Sequence, residues 1–202
     1  MTKSWKLKEI VVMSALAVVF AVVYLLFTQL GNILFGMFGL LGYEFIFGIW
    51  FIVSIITAYI IRKPGAALIS ETIAAAVELL IGNASGPRLL LTGVVQGIGP
   101  ELVFAATGWK RYSLPILMLA GMGASVTSFI MGYFLSGYNA LDPSYVSTML
   151  TVRLVSGALL AGLLGKWLSD QLANTGVLNG FALGKEHKKR VGTKNDRKST
   201  AS

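Results

Sequence analysis

The stretch Ala74–Arg111, AAAVELLIGNASGPRLLLTGVVQGIGPELVFAATGWKR, decides the fold. Two apolar runs flank the connector Gly82–Arg88, GNASGPR, whose glycines, proline, asparagine and serine are turn formers. The second run ends on Lys110 and Arg111. A helix rises about 1.5 Å per residue and needs roughly 20 apolar residues to cross the bilayer core. The stretch therefore reads as a membrane hairpin with a polar turn at one end and a basic cluster at the other. Within it stand Glu78, Gln96, Pro100 and Glu101. Hydrocarbon tolerates such residues only where they are paired or line a cavity.

The rest of the chain follows the same pattern. Of 202 residues, 55% are hydrophobic and 13% charged, and the mean hydropathy is +0.73. That composition belongs to integral membrane proteins. Six apolar segments predict an all-α protein with six transmembrane helices, at about Ile10–Leu30, Tyr43–Ile61, Pro64–Ile81, Leu89–Thr107, Tyr112–Ser136 and Tyr145–Leu168. They make one membrane domain over residues 1–183, followed by a basic tail over 184–202 that is expected to be disordered. The first run is too long for a signal-peptide core and no small-residue cleavage motif closes it, so it is read as a retained span.

Basic residues set the orientation. Lys3, Lys6 and Lys8 precede the first span, Arg62 and Lys63 join the second to the third, and Lys110 and Arg111 join the fourth to the fifth. Lys166 closes the sixth ahead of the tail. The connectors on the opposite side offer only Arg88. Both termini are therefore expected in the cytoplasm of a multi-pass protein of the plasma membrane. The apolar, glycine-rich connector Gly31–Gly42 resembles a re-entrant or lid segment more than a solvated loop. Seven basic and two acidic residues crowd Lys185–Lys198. Beside so many apolar segments they suit solvent or anionic lipid headgroups, with no need of nucleic acid.

Several chemistries are excluded. The chain has no cysteine and a single histidine, His187 in the tail, so thiolate sites, zinc motifs and histidine-based triads are absent. No catalytic residue or metal ligand is assigned. No G-x-x-x-x-G-K-[ST] phosphate loop is present, so energy from ATP must come from other subunits.

Glu44, Glu71, Glu78, Glu101 and Arg153 fall within spans, with Arg88 at a boundary. By helix rise, Glu78 lies about 6 Å, and Gln96 and Arg153 about 12 Å, below the outer ends of their spans, with Glu44 at an outer mouth. Glu101 lies roughly 20 Å down, and Glu71 near the middle. Glu71 and Glu78 are seven apart and share a helix face. Glu44, Phe47, Gly48 and Phe51 form another stripe, and an acid beside aromatic faces suits an organic cation. Pro100 should free a carbonyl near Gln96, while Gly97 and Gly99 should permit close packing. Glu101 is expected to pair with a cation such as Arg153, or to act in coupling. Ala17/Ala21, Ala158/Gly162 and Ala161/Gly165 are small-residue pairs that suit either packing within the chain or docking of another membrane subunit.

With those residues in place, the chain resembles the substrate-binding S component of an energy-coupling factor (ECF) vitamin transporter. The Ala74–Arg111 stretch is more narrowly similar to the YkoE-type thiamine/hydroxymethylpyrimidine S components. The resemblance covers Ile10 to about Leu183. It implies high-affinity capture of thiamine or its hydroxymethylpyrimidine precursor from the outer side, with no cofactor held by the chain. The implied partners are a transmembrane coupling subunit, two cytoplasmic ATPase subunits and the lipid bilayer, with Ala17 and Ala21 matching the docking motif. The pocket is then expected to draw on Glu44, Phe47, Trp50, Glu78, Gln96, Tyr133, Tyr138 and Asn139. Glu71, Glu101 and Arg153 are left to structural or coupling roles. Thiamine couples a hydrogen-bonding aminopyrimidine to a cationic thiazolium. Glu78 or Glu44 suits the charge, the Gln96 amide the pyrimidine edge and the aromatics the rings. Other readings remain: an S component for a different vitamin, a stand-alone proton-coupled transporter of a small cationic solute using Glu71 and Glu101, or an intramembrane protease. The last lacks a nucleophile–base pair.

Overall fold

The computed structural model describes residues 4–199, and among them every regular element is helical. Lys3 and the last three residues lie outside the described range. The order is α1 (Leu7–Phe38), α2 (Leu40–Ile46), a 3-10 stretch (Phe47–Phe51), α3 (Ile52–Ile61), α4 (Ala66–Ile81), α5 (Arg88–Ala106) and α6 (Leu114–Leu135). A short 3-10 turn (Tyr138–Ala140), α7 (Pro143–Ser156), a π-helical stretch (Gly157–Leu164), α8 (Gly165–Asn174) and α9 (Ala182–Ser199) follow.

Among the described residues, five helical rods are long and apolar enough to cross a membrane: Leu7–Phe38, Leu40–Ile61, Arg88–Ala106, Leu114–Leu135 and Pro143–Asn174. The apolar helix α4 lies outside these five and has 16 residues, short of the roughly 20 that a straight crossing uses. The Leu40–Ile61 rod is the bundle axis. Every residue of α3 is buried, whereas α1 turns Val11, Val18, Val19, Val22 and Leu26 outward. An apolar exposed face is what a lipid-facing helix requires.

The connector expected as a re-entrant lid is different in the structure. α1 runs through Gly31 to Phe38 and stops only at Gly39, whose φ of 62° is favoured by glycine. The intervening residues, apolar apart from Asn32, contain no proline, so nothing breaks the helix sooner. In the tail, α9 begins at Ala182 and runs to Ser199. Leu183 is buried and Glu186 bonds Arg62 at 2.6 Å, which ties the start of α9 to the end of α3.

The opening stretch packs α5 between α4 and α6. A Cβ on Gly97 would lie 2.8 Å from the Leu68 Cα of α4, and one on Gly99 would lie 2.3 Å from the Gly123 carbonyl oxygen of α6. Only glycine permits these crossings. Pro100 sits inside α5 without ending it. The segment GALLAGLLG packs within the chain, with Ala158, Ala161 and Gly162 buried where the π stretch meets α6.

Glu101 does not pair with Arg153. Its carboxylate accepts from the backbone N–H of Gly65 at 2.6 Å and of Ala67 at 3.1 Å, and from the Trp109 indole N–H at 2.8 Å. These donors include unpaired N–H groups at the start of α4, where a negative charge also complements the helix dipole. Helix-rise arithmetic gave the depth of Glu101 but not its direction. Glu101→Ala should lower stability by about 1–3 kcal/mol. Thermal unfolding of the detergent-purified protein checks this, with Glu101→Gln expected to lose less.

Candidate functional site

At the end of the bundle opposite Glu101, the helix ends enclose a cleft. Two overlapping cavities of about 340 Å³ and about 410 Å³ share Phe47, Ser85, Thr92, Gln96, Ser136 and Tyr138. They are lobes of one space, of a size that suits a small organic ligand. One lobe adds Tyr43, Trp50, Glu78 and Asn83, and the other adds Arg88, Ser128, Met131 and Arg153.

Local structure explains the lining. The 3-10 stretch at Phe47–Phe51 interrupts the axial rod, and Phe47 and Trp50 from it reach the cleft, their ring centroids 5.6 Å apart. Trp50 is fixed by its indole N–H, which donates to the Tyr24 carbonyl at 3.2 Å. On α5, Arg88, Thr92 and Gln96 follow at intervals of four and so share a face. Glu78 lies in the last turn of α4, where the Asn83 side-chain amide donates to it at 3.0 Å.

Gln96 is the most informative residue. It is only 4% exposed, and it lines both lobes. No described group lies within hydrogen-bonding distance of its side chain. Its amide donor and acceptor are not sealed off but open onto the cleft, where both are free for a ligand.

Glu44 is placed differently from expectation. Its carboxylate takes a two-pronged hydrogen bond from Arg153, through Nη2 at 2.6 Å and through Nε, and each residue is 1% exposed. The guanidinium also stacks 3.6 Å from the Phe47 ring centroid and donates to the Tyr138 hydroxyl at 3.2 Å. Glu44 is thus spent on Arg153. Glu78 is left as the carboxylate lining the cleft.

Two further expected residues stand apart from these cavities. Tyr133 lies against Phe134, 39% exposed, and Asn139 is exposed; neither lines the cleft. Tyr138 does, as do Tyr43, Asn83, Arg88, Thr92 and Ser136, which sequence reasoning missed. The 88/92/96 spacing was available to find two of them. Glu71 is buried deeper in α4 and accepts from the Tyr24 hydroxyl at 3.5 Å. Ala17 and Ala21 are fully buried, with α1 packed on α4, so neither is open to a partner in this conformation.

Comparisons with known proteins agree with this architecture. Residues 8–127 match the family of the ABC-type cobalt transport system, permease component. A solved structure, the crystal structure of an S-component of an ECF transporter, superposes with a TM-score of 0.92 at 65% identity, covering 98% of this chain and 99% of that one. The chain belongs to the ECF transporter S components. It is also 68% identical over 188 residues to a protein of Bacillus subtilis (strain 168) named HMP/thiamine permease protein YkoE. That match covers 93% of this chain and 94% of the relative.

The Glu44–Arg153 pair yields a stability test for this S component. Removing one partner of a buried ion pair strands the other and costs about 3–5 kcal/mol, whereas replacing both with apolar residues is often close to neutral. Glu44→Gln should therefore lower the unfolding temperature far more than the double variant Glu44→Met/Arg153→Met.

Proposed function

We propose that this S component captures thiamine or its hydroxymethylpyrimidine precursor in the cleft, for delivery inward by an ATP-driven importer. The observation that carries the reading is the Gln96 amide, on an otherwise buried residue and without a described partner, opening onto the same space as Glu78. An aminopyrimidine edge presents donors and acceptors that an amide matches in both senses. A carboxylate in a site of low dielectric offsets a cationic ring more strongly than it would in water. Trp50, Phe47, Tyr43 and Tyr138 supply faces for the rings. The name of the Bacillus subtilis relative points to the same cargo.

Six spans with both termini in the cytoplasm complete the proposal. Its support is the clustering of Lys8, Arg62, Lys63 and Lys166 with α9 at the end of the bundle remote from the cleft, as basic residues distribute in membrane proteins. α4 then counts as a short sixth span. The cleft opens outward, and ATP hydrolysis belongs to two cytoplasmic subunits reached through a transmembrane coupling subunit.

Isothermal titration with thiamine and with hydroxymethylpyrimidine tests the site. Gln96→Ala should weaken binding by roughly tenfold to a hundredfold, the loss of one or two buried hydrogen bonds. Glu78→Gln should weaken the cationic ligand more than the uncharged precursor. If neither substitution alters either affinity, the site is wrong.

A further inference from the structure

The cleft is electrically divided, and the proposed function uses only one of its ends. The lobe with Glu78 suits a cation. The other lobe carries Arg88 and Arg153 and no carboxylate lining. Arg153 is already balanced by Glu44. Arg88 is not: among the described residues no carboxylate lies within ion-pair distance of it, and its side chain donates only to the Ser136 hydroxyl at 2.7 Å. It is also the lone basic residue of the connectors at this end. Beside it the Ser85 side chain makes no described hydrogen bond, and the Ser136 hydroxyl, having accepted from Arg88, still has a proton to donate.

A free guanidinium flanked by hydroxyl donors is a poor complement to a neutral alcohol and a good one to a phosphate, whose oxygens accept charge-assisted bonds in a fork. We infer that the Arg88 lobe receives a phosphate monoester borne on the end of the substrate remote from Glu78. The S component then accepts the phosphorylated vitamin as well as the free one, with Arg88 setting the preference between them. This rests on the cargo proposed above. Exposure of Arg88 at the mouth fits the role, because a dianion held there keeps part of its hydration.

The test is titration calorimetry of the full chain in uncharged detergent, with thiamine and thiamine monophosphate as paired ligands. The wild type should bind the ester within about tenfold of thiamine. Arg88→Gln should lower the ratio of ester to thiamine affinity at least tenfold, and Arg88→Lys, which keeps the charge and loses the fork, should lower it less. An ester more than a hundredfold weaker than thiamine in the wild type overturns the inference, as does a ratio that Arg88→Gln leaves unchanged. Failure of thiamine itself to bind overturns the proposed cargo and this inference together, which separates the two. Repeating the titration in phosphatidylglycerol nanodiscs should preserve the ester's affinity. If that lipid abolishes it, Arg88 serves a headgroup phosphate and the inference falls.

Discussion

A guanidinium and a carboxylate locked together inside an apolar bundle set the terms for the rest of the outer half. Neither Glu44 nor Arg153 has water to fall back on, so each must hold the other, and both must stay still. The pair fastens α2 to α7, and the Phe47 ring and the Tyr138 hydroxyl arrange themselves around it. It also decides which charges remain in play. With Glu44 neutralised, Glu78 is the carboxylate left lining the cleft, and Arg88 the cation left without a carboxylate partner. The electrical division of the cleft is therefore a consequence of a bond made behind it.

The opposite end of the bundle obeys the same constraint with a different result. Lys63 is held by Glu9 at 2.6 Å and by the Ser4 carbonyl, Arg62 by Glu186, Lys8 by the Gly180 carbonyl and Lys166 by Asp170. Arg62 also lies over the rings of Tyr59 and Tyr112. Here the basic side chains of α1, α3, α8 and their connectors find partners within the chain, and the ends of those helices close on one another. The charged groups named at this end are paired, although the buried Tyr112 hydroxyl has no described partner. At the other end, Arg88 lacks a carboxylate partner and the Gln96 amide opens onto the cleft.

Much of this was legible in the sequence, and what was not has one physical origin. Helix rise and apolar length depend on neighbours along the chain, so five of the spans emerge within a few residues of expectation at most of their ends. Gly97 and Gly99 read correctly as crossing points for the same reason. Partner choice depends on how helices rotate about their axes, which a single sequence states only weakly. Glu44 and Arg153 are 109 residues apart and at matched depth, yet depth alone also allowed Glu101. Azimuth was equally hidden for Tyr133 and Ala17: the tyrosine is partly exposed, and the alanine, whose spacing suited packing or docking alike, is buried within this chain.

The buried alanine pair bears on coupling. Ala17 and Ala21 are buried on α1, which packs on α4 among other elements, and α4 carries Glu78 near one end while Glu101 grips the other. A subunit that reached those alanines would have to move α1 relative to the elements it packs on, α4 with the cleft's carboxylate among them. In the conformation seen here the outward face of α1 is instead a stripe of valines and leucines. A hydrocarbon solvent exerts no hydrophobic pull on such a stripe, so a partner helix must win there through shape and dispersion. Close contact through small residues is stronger on that count than contact through branched ones. Within this chain, the bundle already occupies the better surface.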